Sequence, residues 1–311
     1  MRARLGAARR WARRERSPFS DEYAGRSPEG MRVRLGAARR WVPSGVSFSF
    51  DEYAGRSLER RVVSRGTTGR VWLFDLDNTL HDASHAAFGH TSVAMNAYMV
   101  DHLGMEPVEA ARLRDDYWRR YGATLLGLVR HHAVEAAHFL EQTHLHPGLE
   151  DRLRMSRHDH AALKRLHGRK LILTNAPRNY TVRVLDALGL ADLFEGVISI
   201  EDMSMFGELR PKPDARMLRH IAATLQVKPS DCVLVEDTLA NQKAARSIGM
   251  RAVWMQRYLA GRYRGHPHLR NGPAGAMNAG FRPREVGVHP CPSPRYVCAK
   301  IRSLQQLLTL R

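Results

Sequence analysis

Two aspartates two residues apart, Asp75 and Asp77, follow the apolar run Val71–Phe74 and precede Asn78-Thr79-Leu80. A short unbroken apolar run suits a strand buried on both faces of a parallel sheet. Such a strand ends in carboxylates where its end meets something that needs them. Strand periodicity aims residues i and i+2 the same way. Two like charges that close call for a cation or for a shared proton, and both serve phosphate chemistry. The pair also suits a simpler role, as turn formers closing the loop after the strand. Three further groups of chemically active residues come later in the chain. Thr174-Asn175 follows Lys170–Leu173, Lys212 lies in the stiff stretch Arg210-Pro211-Lys212-Pro213-Asp214, and Glu236-Asp237 follows Asp231–Val235.

Those groups need a scaffold that brings them together. The apolar runs 71–74, 170–173, 196–200, 231–235 and 252–255 read as strands, and the segments between them carry apolar residues at helical spacing. Helices are expected over 158–166, 180–188 (stopped by Gly189), 215–225 (with Asp214 as N-cap) and 240–248 (stopped by Gly249). Strands alternating with helices at this spacing predict a doubly wound, mostly parallel α/β sheet. In such a sheet the strand ends share one edge, so the four groups should converge there. Between residues 82 and 167 the pattern is helical throughout, with helices expected over 86–103, 107–121, 125–132 and 134–142. That is a helical unit inserted after the first strand. A late strand over 296–301 and a closing helix over 304–308 end the chain.

The ordered set Asp75-x-Asp77-x-Thr79, Leu173-Thr174-Asn175, Lys212 and Glu236-Asp237-Thr238 resembles the four motifs of the haloacid-dehalogenase-like hydrolase superfamily. The resemblance implies a Rossmann-like core carrying an inserted helical cap. It implies Asp75 as nucleophile, forming an aspartyl-phosphate, and Asp77 as the acid and then the base. Lys212 would offset charge, and Thr174 and Asn175 would contact the substrate. Mg2+ would be held by Asp75, the main chain of Asp77, and Asp237, with Glu236 beside it or one shell out. The dehalogenase branch lacks an acid at the position of Asp77, which argues against that branch. Within the cap, Tyr117–Gly122 and Leu126–His131, together with the spelling Asp77-Asn78-Thr79-Leu80, resemble the pyrimidine 5′-nucleotidase branch. Tyr121 would stack on a base, and Arg112, Arg130 or His131 would reach a phosphate or carbonyl. The helical spacing of Tyr117, Trp118 and Tyr121 equally suits packing between cap helices.

Composition bounds the rest. The chain of 311 residues carries a formal charge of +18, with arginine outnumbering lysine 43 to 6. Residues 1–70 hold 17 arginines, no lysine and seven acids, so about +10 of that charge sits there. The first 60 residues are a duplication: 19 of 30 positions match at a period of 30. Two such copies with few apolar residues cannot bury a continuous core, so residues 1–65 are expected to be a disordered basic extension. It is either a duplicated segment read through from an early start codon or an arm for nucleic acid. The expected division is therefore 1–65 extension, 66–81 with 168–311 α/β core and C-terminal tail, and 82–167 cap. Cys232, Cys291 and Cys298 have no metal-ligand spacing and form no even disulfide framework, as expected of a cytoplasmic protein with reduced thiols. No stretch is long and apolar enough for a membrane span. The expected activity is a Mg2+-dependent phosphomonoesterase for a small phosphorylated metabolite, a pyrimidine nucleoside monophosphate first and a sugar phosphate or phosphoglycolate second. A binding protein using the basic arm is the reading of another class, and nucleic acid is not the expected partner of the folded part.

Overall fold

The computed structural model describes residues 69–259 and 294–310. The basic extension, its internal repeat and most of the Gly261–Pro294 tail lie outside the described residues. Six parallel strands form one sheet: β1 (Val71–Phe74), β2 (Arg169–Leu173), β3 (Gly196–Ile198), β6 (Cys232–Glu236), β7 (Arg251–Met255) and β8 (Ala299–Ile301). Their order is β3-β2-β1-β6-β7-β8. Every pairing in the sheet is parallel. The chain winds outward from β1 in one direction through β2 and β3, then in the other through β6 to β8. The crevice outside the carboxyl ends of β1 and β6 is therefore the switch point, where open α/β sheets hold their ligands.

Alternation along β1 explains why it is central. Trp72 and Phe74 enter one apolar cluster with Leu163 of α7 (Arg157–Arg165) and Tyr180, Val184 and Leu185 of α8 (Arg178–Ala187). Val71 and Leu73 enter the other, with Met217, Leu218 and Ile221 of α9 (Ala215–Thr224) and Ala245 of α10 (Leu239–Ser247). All four β1 residues are buried, as a strand covered by helices on both faces requires. Asp214 caps α9, accepting from the N–H groups of Arg216 and Met217 at 2.7 and 3.2 Å.

The helical insertion expected over 82–167 divides between two cores. A third cluster joins α2 (Phe88–Leu103), α3 (Pro107–Tyr121), α4 (Thr124–His132) and α5 (Ala136–Thr143), with Ile200 and Leu209 reaching in from the sheet domain. The flanking α1 (Ala83–Ala86) and α6 (Leu149–Arg152) instead face the sheet: Ala86, Leu149, Leu153 and Ala162 belong to its cluster. The helices from Phe88 to Thr143 share the third cluster and those beyond it pack under the sheet, because an amphipathic period says that a helix has a buried face but not which core receives it. The long helix expected from 86 breaks at Ala87, and the third strand stops at Ile198 before a 3-10 turn over Ile200–Asp202. The closing helix is a 3-10 turn, Leu304–Thr309. A two-residue hairpin, β4 (Ser204–Met205) and β5 (Glu208–Leu209), had no expectation at all. Among the described residues no helix is long and apolar enough to cross a membrane.

Within the cap, the Tyr117 ring of α3 lies on the backbone of Gly127 in α4. A Cβ at Gly127 would meet Tyr117 Cγ at 2.1 Å. In an open helix, glycine to alanine gains about 0.5–1 kcal/mol. Here the ring is buried and its hydroxyl is hydrogen-bonded to His132 Nε2 at 2.8 Å, so it cannot move aside without loss. Overpacking costs about 1–3 kcal/mol and outweighs the propensity gain. Gly127→Ala is expected to lower the thermal midpoint by a few degrees; a higher midpoint in calorimetry would mean that the two helices are not locked by this contact.

Candidate active site

The loop leaving β1 is built to hold one carboxylate still. Asp75 extends the pairing with β6, its N–H donating to Val235 O at 3.0 Å. The chain then turns: the N–H of Leu80 donates to Leu76 O, and Asn78 adopts a left-handed backbone at φ 59°. Asparagine tolerates that region better than most residues. Its Oδ1 accepts from both the N–H and the hydroxyl of Ser84, at 3.0 and 3.1 Å, which ties the turn to α1. Thr79 sits beneath and donates its hydroxyl to Asp75 Oδ2 at 3.0 Å.

Lys212 arrives from the loop before α9. Its ammonium donates to Asp75 Oδ1 (2.7 Å), Glu236 Oε2 (2.8 Å) and the Leu173 carbonyl (2.7 Å). Three protons meet three acceptors, each from the end of a different strand. The lysine is 2% exposed. Asn175 holds the Lys212 backbone from both sides, its amide donating to Lys212 O at 2.8 Å and accepting from Lys212 N at 3.0 Å. Thr174 is buried at the end of β2, its Oγ1 accepting from Ala176 N at 3.0 Å. On the β6 side, Glu236 Oε1 accepts from Thr238 N (3.0 Å), and Asp237 Oδ1 accepts from the Thr238 hydroxyl (3.1 Å). The Trp254 indole of β7 fixes the turn through Asp237 O at 3.0 Å.

Carboxylate oxygens of Asp75, Glu236 and Asp237 lie within 4.8 Å of one another, and all three residues are buried. Lys212 brings one positive charge to three negative ones. An all-oxygen donor set with that imbalance fits a hard divalent cation such as Mg2+. The charge balance also governs the acids. Burial first, and then Glu236, push the Asp75 carboxyl up to about 7, against the pull of Lys212. Burial works against a charged Lys212, but Asp75 and Glu236 outweigh it and raise its pKa. Asp77 goes the other way. Burial would raise it, but a hydrogen bond from His81, its charge and the Tyr180 hydroxyl bring it below the usual carboxylate range. His144 and His146, behind Tyr180, are pushed down to about 4 chiefly by burial and are uncharged at neutral pH.

A family model for haloacid dehalogenase-like hydrolases matches residues 70–249. The chain belongs to that family. It is 27% identical over 196 residues to "Phosphate metabolism protein 8" of Saccharomyces cerevisiae, covering 58% of this chain and 60% of that one. It is 30% identical over 123 residues to a phosphoglycolate phosphatase of Nitrosococcus oceani, covering 39% of this chain and 48% of that one. The chain thus spans about half to three fifths of the length of these relatives. The crystal structure of a haloacid-dehalogenase-type phosphatase from Thermococcus onnurineus aligns over 78% of this chain and 96% of its own, with 21% identity and a TM-score of 0.45.

Of the residues singled out in the sequence, Asp75, Lys212, Glu236 and Asp237 meet at the ends of β1 and β6, and Thr174 stands at the end of β2 after the carbonyl that Lys212 bonds. Asn175, expected to touch substrate, instead uses both ends of its amide on the main chain of Lys212. Asp77 belongs in side chain to a different group from the metal-ready carboxylates: its Oδ1 faces His81 and Tyr180. Tyr121 ends α3 at the α3–α4 junction, and Arg130 stands in the last turn of α4. A Cβ at the neighbouring Gly122 would stand 3.5 Å from Pro213 Cδ, so this junction rests against the Lys212 loop. The half-buried Tyr121 packs at the edge of the cap core, its hydroxyl 2.6 Å from His131 Nε2. The guanidinium carbons of Arg120 and Arg130 stand 5.5 and 5.6 Å from its ring centroid. Packing therefore explains Tyr117 fully and Tyr121 in part. His81 and Tyr180 were not singled out in the sequence. His81, four residues after Asp77, carried a signal; Tyr180, 103 residues away, carried none.

An acid whose pKa is raised on folding adds stability below its unfolded value and loses it as pH rises through its folded value. For Asp75 that loss falls between about pH 4 and 7. In metal-free protein, Asp75→Asn is expected to raise the thermal midpoint at pH 8 and leave it nearly unchanged at pH 4, since the amide keeps an acceptor for Lys212. Mg2+ should raise the wild-type midpoint at pH 8 more than that of the variant. Equal midpoints for both proteins across the range, with and without Mg2+, would remove this account of the carboxylate group.

Proposed function

We propose that this chain is a divalent-cation-dependent phosphomonoesterase that works through an aspartyl-phosphate on Asp75. Its substrates are small phosphorylated metabolites of the phosphoglycolate or sugar-phosphate kind. The observation that carries the reading is the Lys212 ammonium joining Asp75 to Glu236 beside Asp237, with Asp77 two residues from the nucleophile. Asp75 attacks phosphorus, and the bond to the ester oxygen breaks as Asp77, protonated once the negatively charged phosphate sits beside it, gives that oxygen a proton. Water then takes the place of the alcohol. Asp77 removes a proton from it, its oxygen bonds phosphorus, and Asp75 leaves as a carboxylate. Lys212 holds Asp75 in line and offsets its charge, while the Thr174 hydroxyl, which accepts from Ala176 N, keeps its own proton to donate to a phosphoryl oxygen. A cation held by Asp75, Asp237 and Glu236 supplies further positive charge for the phosphoryl group.

The relatives named phosphoglycolate phosphatase support the small, acidic leaving group. So do the guanidiniums of Arg120 and Arg130, which flank Tyr121 beside the junction that rests on the Lys212 loop. A second reading, pyrimidine nucleoside 5′-monophosphates, is favoured by the Tyr121 ring at that junction. A stacked base is worth about 1–3 kcal/mol, or roughly a 5- to 150-fold preference.

The test is kcat/KM of the full chain on 2-phosphoglycolate, ribose 5-phosphate, UMP and CMP, with Mg2+ and with chelator. Phosphoglycolate or ribose 5-phosphate is expected to match or exceed the nucleotides, activity to vanish with chelator, and Asp75→Asn to be inactive. A preference for UMP and CMP within the range above, lost in Tyr121→Ala, would select the nucleotidase reading. Hydrolysis by Asp75→Asn at the wild-type rate would overturn the mechanism.

A further inference from the structure

Tyr180 stands on α8, in the apolar cluster under the sheet, and is 2% exposed. The rings of His144 and His146 meet it edge-on, at centroid distances of 6.2 and 5.2 Å. From that fixed seat its hydroxyl donates to Asp77 Oδ1 at 2.8 Å. His81, fully buried, places Nε2 3.1 Å from the same oxygen. A main-chain bridge between residues 77 and 81 sets the distance between the two side chains. The partners described for this carboxylate therefore converge on Oδ1.

That convergence has a geometric effect. The terminal torsion of an aspartate is broad and two-fold, so an unheld carboxylate samples many orientations. Two donors from different elements on one oxygen define a single orientation and leave Oδ2 outside both bonds, on a side chain that is 20% exposed. We propose that Tyr180 and His81 are positioning residues that lock the Asp77 carboxylate, so that Oδ2 is aligned to take the proton from the water that cleaves the aspartyl-phosphate. This rests on the phosphatase reading above. In the step concerned, Oδ2 takes a proton from water while the water oxygen bonds phosphorus. The bond from phosphorus to the Asp75 oxygen breaks, its electron pair returns to Asp75, and inorganic phosphate leaves.

The two half-reactions depend on this alignment unequally when the leaving group is p-nitrophenolate. That group departs without a proton, so formation of the phosphoenzyme does not need Asp77, whereas its hydrolysis does. The experiment is a rapid-quench study of the full chain with Mg2+ and p-nitrophenyl phosphate. It follows the first-turnover release of p-nitrophenolate, the phosphoenzyme and the steady-state rate. Tyr180→Phe keeps the ring and removes only the donor. It is expected to leave the first turnover within about twofold of wild type and to slow the steady state about tenfold, with phosphoenzyme accumulating. His81→Leu should behave likewise. His81→Gln, which keeps an N–H at similar reach, should restore most of the steady-state rate. Should Tyr180→Phe not fold by calorimetry, the His81 pair decides alone.

Equal loss in both half-reactions would mean a merely structural role and overturn the proposal. So would unchanged kinetics in Tyr180→Phe and His81→Leu, or failure of His81→Gln to differ from His81→Leu. A wild-type protein that releases phosphate without any hydroxylamine-sensitive phosphoenzyme would instead overturn the reading on which the proposal stands.

Discussion

A single buried ammonium organises this molecule. Lys212 Nζ is bonded to a carboxylate after β1, a carboxylate at the end of β6 and the last carbonyl of β2. Removing a charge from water is costly unless its partners replace the lost hydration, and here all three protons are satisfied. The arrangement works only if β2, β1 and β6 are neighbours in that order, as the sheet has them. It also demands that a loop from beyond β5 be brought back over the strand ends. Asn175 does so, gripping the lysine's own peptide groups from the end of β2. Sheet order, loop course and the orientation of the proposed nucleophile are thus consequences of one interaction.

The two aspartates illustrate how environment separates chemically identical groups. Asp75 stands among other carboxylates, and its ionisation is opposed; Asp77 stands among hydrogen-bond donors, and its ionisation is favoured. A cation held among Asp75, Glu236 and Asp237 would offset the negative charge of Glu236 that opposes ionisation of Asp75, which would link metal binding to ionisation of that carboxyl. Neutral His144 and His146 contribute ring surface rather than charge behind Tyr180.

The sheet, its parallel sense and the meeting of Asp75, Thr174, Lys212 and Asp237 were legible because each rests on local signals: unbroken apolar runs, and polar residues at their ends. What was not legible depended on contacts distant in sequence. Leu149 and Leu163 have the same helical spacing as the cap residues, yet pack under the sheet. Asn175 reads as a substrate ligand until the lysine's peptide is seen in its grip. The β4–β5 hairpin escaped because its turn is Phe206-Gly207, both at positive φ (55° and 75°). Such turns are signalled by asparagine or aspartate before glycine, and phenylalanine gives no such cue. Tyr180 is the extreme case, since nothing near it in sequence points to Asp77.

The outer edge of the sheet has its own logic. β8 covers β7 although Met255 and Ala299 are far apart in the chain, and the family match ends before either strand. Asp159 on α7 anchors the returning segment, accepting from the Ser303 hydroxyl (2.6 Å) and Leu304 N (2.8 Å), and pairing with Arg257. During synthesis, every strand that bears a site residue emerges before β8 does. The ribosome-bound intermediate thus holds a complete set of site strands beside an unpaired β7, the kind of edge on which chains associate wrongly. β8 acts as a cover for that edge, and the protection arrives only once Ala299–Ile301 has been made and paired with β7.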